Sequence, residues 1–468
     1  MSVANTLTPS LPSLPTAAQV TLTILEDAGY ESWCVGGLVR DALMGRVAYD
    51  VDIATAASWQ SVRDALEPCG FPVFETGTKH GTVTALVNDM RLEITTYRID
   101  GIYHDNRHPE TVKFVRSITE DLARRDFTAN AIAYHPQRGF CDPFGGQADI
   151  EAGILRAVGC PQKRFKEDAL RILRGIRFAS QLGFSIENET EQGMRKEAPL
   201  MNSLAVERVA RELEGILCGP HVHDALIAYV DLLGVVMPEV LPLKGFDQKT
   251  PYHIYDVLEH TAYVVQNTPP YPLVRWAAFF HDFGKPRAFF TDEAGTGHFY
   301  GHAEISTELA RCIMKRFKMS PQFADDVLVL VKCHDDVIEA KPKAVKRVLC
   351  RLGGRVDLFR ALCDLKRGDA LSQAPHCRGR VDAANELDAI LDEILATQEA
   401  FSLHDLAIKG GDIIALDIPA GPAIGSILHA TLDAVIDEKL PNERGALIKF
   451  AKDTYHSQVS LDERAAGK

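Results

Sequence analysis

Asp50 and Asp52 are separated by a single residue in the stretch "AYDVDIAT". On an extended strand, residues i and i+2 face the same side, so both carboxylates project together while Val51 and Ile53 face a core. Two like charges at that spacing repel unless a cation relieves them. Hard carboxylate oxygens suit a hard divalent ion, and Mg²⁺ is the natural occupant where a phosphate completes the shell. Metal ions held in this way activate an attacking hydroxyl and stabilise a leaving pyrophosphate. Glu93 in "RLEITTY" is the candidate third carboxylate, because it lies opposite in phase to Leu92 and Ile94. Alone, an Asp-x-Asp pair is also what an exposed strand face looks like.

The residues just upstream add to the pair. Gly36 and Gly37 in "VGGLVRDAL" let the backbone approach a ligand closely and offer N–H groups to phosphate. Arg40 and Asp41 follow on a predicted helix N-terminus, where anions are favoured. A phosphate-cradling turn 13 residues before the Asp pair is the arrangement expected for nucleotidyl transfer.

Farther on, "EDALRILRGIRFASQLGF" predicts a helix with Asp168 and Arg171 as neighbours three residues apart. Arg174 and Arg177 continue the row, and Leu170, Leu173 and Ile176 face the core. A carboxylate only accepts hydrogen bonds and a guanidinium only donates them. Cytosine and adenine both present an amine donor beside a ring-nitrogen acceptor, which matches that pair. Guanine and uracil reverse the pattern, and buried hydrogen bonds can reject such a misfit by on the order of 10⁴-fold. The alternative is a surface i,i+3 ion pair worth about 0.3 kcal/mol.

The second half carries a different set. "YDVLEHT" holds His260, "FFHDFGKP" holds His281 and Asp282, "GHFYGH" holds His298 and His302, and "VKCHDD" holds His334 and Asp335. Imidazoles and carboxylates gathered from helices can hold a divalent metal and activate water against a phosphoester. The dipeptide His-Asp occurs five times, so the dipeptide alone proves nothing. The order His, His-Asp, Asp carries the signal.

These residues need elements to hold them. The chain has 468 residues, 46% hydrophobic and 25% charged, which describes several globular segments rather than one core. Short strand signals ("SWCV", "DVDIAT", "TVTALV", "RLEITTY") run to about residue 150, with "ND" as a hairpin turn, and long helical patterns follow. The fold expected is α+β: a small mixed-sheet head, then a mostly helical body. The divisions expected are 17–150, a helical neck at 151–240, a body at 241–380 and a tail at 381–468. A Pro-, Ser- and Thr-rich arm precedes the first helix, with no signal-peptide pattern. No apolar run is long enough for a membrane span, so no membrane is expected and the cytoplasm is the default. Ten scattered cysteines without a Cys-x-x-Cys argue for buried reduced thiols rather than a zinc module or disulfides. A net charge of −13 ordinarily disfavours a nucleic-acid partner. The run Lys341 to Arg360, with seven bases and one acid, is nevertheless a candidate RNA contact.

Taken in order, "VGGLVRDALMGRVAYDVDIAT", "GTKHGTVT", "LARRDFTANAIAY" and "EDALRILRGIRFASQLGF" resemble the motifs of class II tRNA nucleotidyltransferases, the bacterial CCA-adding and poly(A) polymerase superfamily. The resemblance implies a polymerase-β-type head and template-independent addition of C, C and A to tRNA from CTP and ATP. It implies that Asp50 and Asp52 bind Mg²⁺, with Glu93 beside them, and that Gly36, Gly37 and Arg40 touch the nucleotide. It places Arg125 on the triphosphate, Asp126 on the ribose 2′-OH, Asp168 with Arg171 on the base, and Arg174 and Arg177 in the same nucleotide site. Asp100 to Phe114 looks like the flexible loop of enzymes that add the terminal A, "DPFGGQADI" like the hinge and "ERVARE" like a neck helix. A-adding, CC-adding and poly(A)-polymerising members of the superfamily are the alternatives. His260, His281, Asp282 and Asp335 resemble the ligands of an HD phosphohydrolase domain, with a second, divalent transition metal as candidate occupant. That domain is either an active hydrolase or a scaffold for RNA. Oligomeric state is left open.

Overall fold

The computed structural model describes residues 14–47, 50–100 and 112–466. The N-terminal arm and most of the expected loop Asp100 to Phe114 lie outside the described residues. The chain folds as two compact units, Met1–Pro238 and Glu239–Lys468.

The first unit begins with α1 (Thr16–Asp27), β1 (Ser32–Val35), α2 (Gly37–Leu43), β2 (Val51–Thr55), α3 (Trp59–Leu66), β3 (Val73–Gly77), β4 (Thr82–Val87) and β5 (Met90–Thr96). It continues with β6 (Arg98–Asp100), β7 (Val112–Phe114), α4 (Ile118–Ala123), β8 (Ala133–His135), β9 (Gly139–Cys141) and α5 (Gly146–Ala152). Seven strands form one mixed sheet in the order β3-β4-β5-β2-β1-β8-β9. The β2–β5 pairing is parallel and sets Asp52 opposite Glu93; β2 pairs with β1 antiparallel and sets Asp52 opposite Val35. The β4–β5 hairpin turns on Asn88 and Asp89, both at positive φ (49° and 61°), the requirement of a tight two-residue turn.

Strand alternation sorts the faces as expected. Val51, Ile53, Leu92 and Ile94 are buried in one cluster with residues of α1 and α3. Ala54, Val35 and Trp33 face the other way, against Ile118 and Leu122 of α4. Asp52 shares this second face. Asp50 itself stands just ahead of β2 rather than within it.

The rest of the unit is helical: α6 (Pro161–Glu167), α7 (Leu170–Leu182), α8 (Asn188–Glu197), α9 (Val206–Leu217) and α10 (Val222–Val236). Leu170, Leu173 and Ile176 are buried as the row predicts. The helix starts later than the pattern predicts, however. Asp168 is extended (φ −145°, ψ 104°) and caps the end of α6, so it is not a helical neighbour of Arg171. Helices α7 and α9 pack closely because a Cβ at Gly215 would stand 2.5 Å from the Arg177 side chain.

The second unit runs through α11 (Val257–Asn267), α12 (Pro272–Phe280), α13 (Lys285–Ala288), α14 (His302–Arg316), α15 (Pro321–Cys333), α16 (Pro342–Arg351) and α17 (Val356–Leu371). It ends with α18 (Gly379–Ala396), α19 (Gly410–Ile414), α20 (Pro422–Ile436) and α21 (Arg444–Ala466). The last three helices share a core of Ile413, Ile427, Leu432, Ile436 and Leu447. Among the described residues, no helix is long and apolar enough to cross a membrane.

Two findings add to the sequence reading. The basic run from Lys341 to Arg360 is flanked by acids in space. Each of its seven cations meets an acid: Lys341 with Glu339, Lys343 and Arg347 with Asp437, Lys346 with Glu399, Arg351 with Asp336, Arg355 with Asp326 and Asp357, Arg360 with Asp392. All ten cysteines are free, but Cys69, Cys160 and Cys312 are exposed rather than buried.

Candidate active site

A cleft of about 610 Å³ in the first unit collects most of the residues singled out from sequence. Gly36, Gly37, Arg40, Asp50, Asp52, Arg125, Asp126, Asp168, Arg171, Arg174 and Arg177 all line it. Glu93 does not line it, but stands in register beside Asp52 on the neighbouring strand.

The glycine turn is required by geometry. Gly36 has φ 72°, and a Cβ there would sit 3.0 Å from Arg125 Nη1 and 3.2 Å from Asp52 Oδ2. The turn therefore lets β1 pass into α2 directly over the acidic group. Burial pushes the Asp52 carboxyl up; Arg125 opposes this, while Glu93 and Asp50 push it further up. One guanidinium does not offset three carboxylates. A donor set of hard oxygens with surplus negative charge fits a hard divalent cation.

Arg125 is drawn down by burial and supported by Asp121, whose Oδ2 lies 3.5 Å from its Nη2. Its Nε is buried without a hydrogen-bond partner. Asp126 is saturated. Its Oδ1 accepts from the Phe127 N–H (2.8 Å) and Asn130 Nδ2 (3.2 Å), and its Oδ2 meets the Arg174 fork, Nε and Nη2 each at 2.7 Å. Burial alone would raise this carboxyl, but Arg174, Arg171 and Asn130 hold it far below the usual range. Arg40 donates to Asn130 Oδ1 at 2.7 Å and to Asp41 Oδ1 at 2.9 Å.

Three cleft arginines gather around one aromatic ring. The guanidinium carbons of Arg177, Arg40 and Arg174 lie 4.3, 5.2 and 5.4 Å from the Phe178 ring centre. Cationic groups over a buried ring are held by its quadrupole, so Phe178 gathers three positive charges at one point of the cleft.

Asp168 and Arg171 line the same cleft but do not pair. Asp168 Oδ2 accepts from Arg208 Nη2 at 3.0 Å. Arg171 Nη1 reaches Glu167 Oε2 at 2.9 Å, and its Nη2 reaches the Arg124 carbonyl at 3.0 Å. Arg208, Phe178 and Asn130 were not singled out from sequence. Phe178 stands inside "RGIRFAS" and Arg208 inside "ERVARE", but neither motif by itself says which residue meets which.

The second unit holds a separate centre. His260 and His281 come within 3.4 Å through their Nε2 atoms, and His302 and His334 within 3.2 Å. Every Nδ1 in the four rings meets a backbone carbonyl: Ser372 for His260, Ala278 for His281, Phe299 for His302 and Val331 for His334. Those carbonyls fix the proton on Nδ1 and leave Nε2 aimed inward, the usual second-layer support of a metal-binding imidazole. Asp282 lies at the centre, 3.1 Å from His281 and 3.4 Å from His260 and His302, with Lys285 Nζ at 2.6 Å. Two trios stand at ligand spacing, His260 with His281 and Asp369, and Asp282 with His302 and His334. Asp335 belongs to neither; it lines the adjoining cavity, and the carboxylates in the two trios are Asp282 and Asp369 of α17. A carboxylate 34 residues beyond Asp335, inside a helical pattern, carries no local sign of that role.

Comparison with known proteins bears on both units. The family model described as "Poly A polymerase head domain" matches residues 32–156. "Probable RNA and SrmB-binding site of polymerase A" matches 183–243, and "tRNA nucleotidyltransferase domain 2 putative" matches 291–451. The chain is 34% identical over 455 residues to a CCA-adding enzyme of Lactiplantibacillus plantarum, covering 94% of this chain and 97% of that one. It is 48% identical over 208 residues to a CCA-adding enzyme of Geobacillus kaustophilus, covering 44% of this chain and 50% of that one. Its structure is similar to the Bacillus stearothermophilus CCA-adding enzyme in complex with CTP, with a TM-score of 0.71, 28% identity and 95% and 98% coverage.

Proposed function

The chain belongs to the family of CCA-adding enzymes, and on that premise we propose that it adds C, C and A to the 3′ end of tRNA from CTP and ATP. The observation that carries this reading is one cleft holding both an acidic cluster and the pair Asp168 and Arg171. In each step the tRNA 3′-hydroxyl oxygen attacks the α-phosphate, a new P–O bond forms and pyrophosphate leaves.

Asp52, Asp50 and Glu93 would hold the divalent cation, Mg²⁺ in our reading. The chemistry supplied by that ion when bound is activation of the hydroxyl and neutralisation of the departing pyrophosphate. The residues of the chain do the rest. The N–H groups near Gly36 and Gly37, with Arg40, Arg125, Arg174 and Arg177, offer donors to the polyphosphate. Asp168 accepts from the exocyclic amine of C or A and Arg171 donates to the ring nitrogen, so the protein supplies the specificity that a template supplies elsewhere. A ribose contact from Asp126 requires Arg174 to release one of its oxygens, since both are occupied in the free protein.

We read residues 17–150 as head, 151–240 as neck, 241–380 as an HD-like body and 381–468 as tail, acting in the cytoplasm. The paired imidazoles favour a second, metal-dependent reading for the body. The facing Nε2 atoms, at 3.2–3.4 Å with a carbonyl behind each ring, are spaced as ligands of one cation would be. His260, His281 and Asp369, with Asp282, His302 and His334, would hold a divalent transition metal, whose chemistry there is activation of water towards a phosphoester.

The test is extension of tRNA ending before, within and after CCA, with a short oligo(A) primer alongside. Extension that stops after CCA, with little use of oligo(A), is expected. Long A tails on oligo(A) would move the chain to the polymerase branch.

A further inference from the structure

The cavity beside the histidine centre has a volume of about 570 Å³ and is lined by Asp282, His302 and His334 together with His298 and Tyr300. Phe290, His298 and Tyr300 bring their ring centres to 5.3, 5.5 and 5.7 Å from one another. Phe290 and Tyr300 both lie close to parallel with the His298 ring, at 28° and 19°. Yet Tyr300 is 77% exposed and Phe290 46%, where rings of this size ordinarily serve a core.

The patch is fixed in place. Phe290 and His298 face each other across the antiparallel pairing of Phe290–Thr291 with Gly297–His298. Asp292 closes the turn between them. Its Oδ1 accepts the N–H groups of Ala294 and Thr296 at 3.0 and 2.9 Å, and its Oδ2 meets His298 Nε2 at 2.9 Å. A Cβ at Gly297 would stand 2.2 Å from the Gln248 carbonyl, so the pairing packs directly on the segment before α11. Tyr300 stands two residues before His302, the imidazole that begins α14.

We propose that Tyr300, His298 and Phe290 form a stacking subsite for a nucleobase, so that the phosphoester taken by this centre is that of a nucleotide. The proposal rests on the reading of the body as a metal-dependent phosphoesterase. Every base has a flat π face, and aromatic side chains hold that face with little regard to base identity. Three rings set side by side offer such a face more area than one ring does. The same cavity supplies cations for the other end of the molecule, since Lys285, Lys332 and Arg380 line it. A sugar phosphate carries the anion but no flat apolar face, so only a nucleotide engages both parts. Stability does not account for the patch, because a ring contributes to folding by leaving water and Tyr300 stays mostly in it. In the hydrolysis itself, water supplies the oxygen of the new P–O bond, the bond to the ribose oxygen breaks, and the nucleoside leaves as the alcohol.

The test compares adenosine 3′-monophosphate, a short RNA with a 3′-terminal phosphate and ribose 5-phosphate as substrates of the metal-loaded full chain, as wild type, Y300A and Y300W. Y300A is expected to raise KM for the base-bearing substrates about fivefold or more, with kcat and the KM for ribose 5-phosphate held. Y300W keeps a flat ring and is expected to restore KM. Use of the mononucleotide alone would identify a free nucleotide as the source, and use of the RNA alone an RNA end. Calorimetric titration with adenosine 3′-monophosphate, with and without metal, gives a readout apart from turnover, and Y300A is expected to weaken that binding by the same factor. An unchanged KM in Y300A, or an equal rise for ribose 5-phosphate, would overturn the proposal. If nothing is hydrolysed but binding depends on Tyr300, the phosphoesterase reading fails and the subsite stands; if binding is also unaffected, both fail. Loss of tRNA affinity in Y300A, with adenosine 3′-monophosphate handled as by wild type, would make the patch an RNA-docking surface and overturn the proposal.

Discussion

Asp52 stands opposite Glu93 across the parallel β2–β5 pairing, two carboxylates from strands 41 residues apart brought to one face of the sheet. Burial and the charges of Glu93 and Asp50 raise the Asp52 carboxyl above its ordinary value. A raised carboxyl means that the metal-free folded state holds a proton more tightly than the unfolded chain. Its contribution to stability is therefore greatest below the ordinary carboxylate pKa and declines as pH rises above it. Divalent cation reverses this. Mg²⁺ is expected to raise Tm more at pH 7.5 than at pH 5, and D52N to raise the metal-free Tm at pH 7.5 while removing much of the Mg²⁺ gain. A cation at one hundred times its dissociation constant adds about 2.7 kcal/mol, several degrees on a thermal melt. An equal Mg²⁺ gain in D52N would place the cation elsewhere.

Asp126 behaves in the opposite sense. Arg174, Arg171 and Asn130 outweigh burial and hold its carboxyl low, so its stabilisation is present above about pH 4, the unfolded value, and is lost as pH falls further. D126N should cost about 2 kcal/mol at pH 7 by urea unfolding, with the gap from wild type closing below pH 4. The same variant tests the ribose role: preference for CTP over dCTP should shrink if Arg174 releases Asp126 when nucleotide binds, and stay at the wild-type value if it does not.

Phe178 makes a different prediction. Its ring gathers Arg40, Arg174 and Arg177. F178A should raise KM for CTP and ATP alike, about tenfold if two or three cation–ring contacts near 0.5–1 kcal/mol each are lost. The CTP:UTP ratio should hold. A change in that ratio would show that the ring also shapes the base pocket.

The histidine centre predicts metal content directly. Purified protein dialysed against buffer should retain a divalent transition metal by elemental analysis, and H281N and D282N should lose it without loss of CCA addition. Equal metal in these variants and wild type would contradict the ligand assignment.

Much of the head was legible because strand alternation is a strict code. Asp52 and Glu93 fall out of phase with Val51, Ile53, Leu92 and Ile94, and the sheet sorts them that way. The glycine turn was legible because only glycine tolerates φ 72° with Asp52 and Arg125 so near. The Asp168–Arg171 spacing misled, because i,i+3 adjacency holds only inside a helix and the helix begins at Leu170. The partner Arg208 lies 40 residues away in sequence, a relation that packing alone reveals. Charge runs show the same limit. The excess of bases between Lys341 and Arg360 is a local count, and acids from distant helices cancel it. In the histidine centre the His, His-Asp order fell on side chains that cluster, but Asp369 joins them through how α17 lies against α11 rather than through spacing.

The central claim is that protein side chains, rather than a nucleic-acid template, choose C, C and A. The most direct measurement is to incubate tRNA ending before CCA with all four nucleotides and Mg²⁺, then sequence the 3′ ends made by wild type and D168A. Wild type should yield CCA ends and stop, while D168A should yield ends containing U or G. CCA ends made with undiminished fidelity by D168A, or long A tails from wild type, would contradict the account.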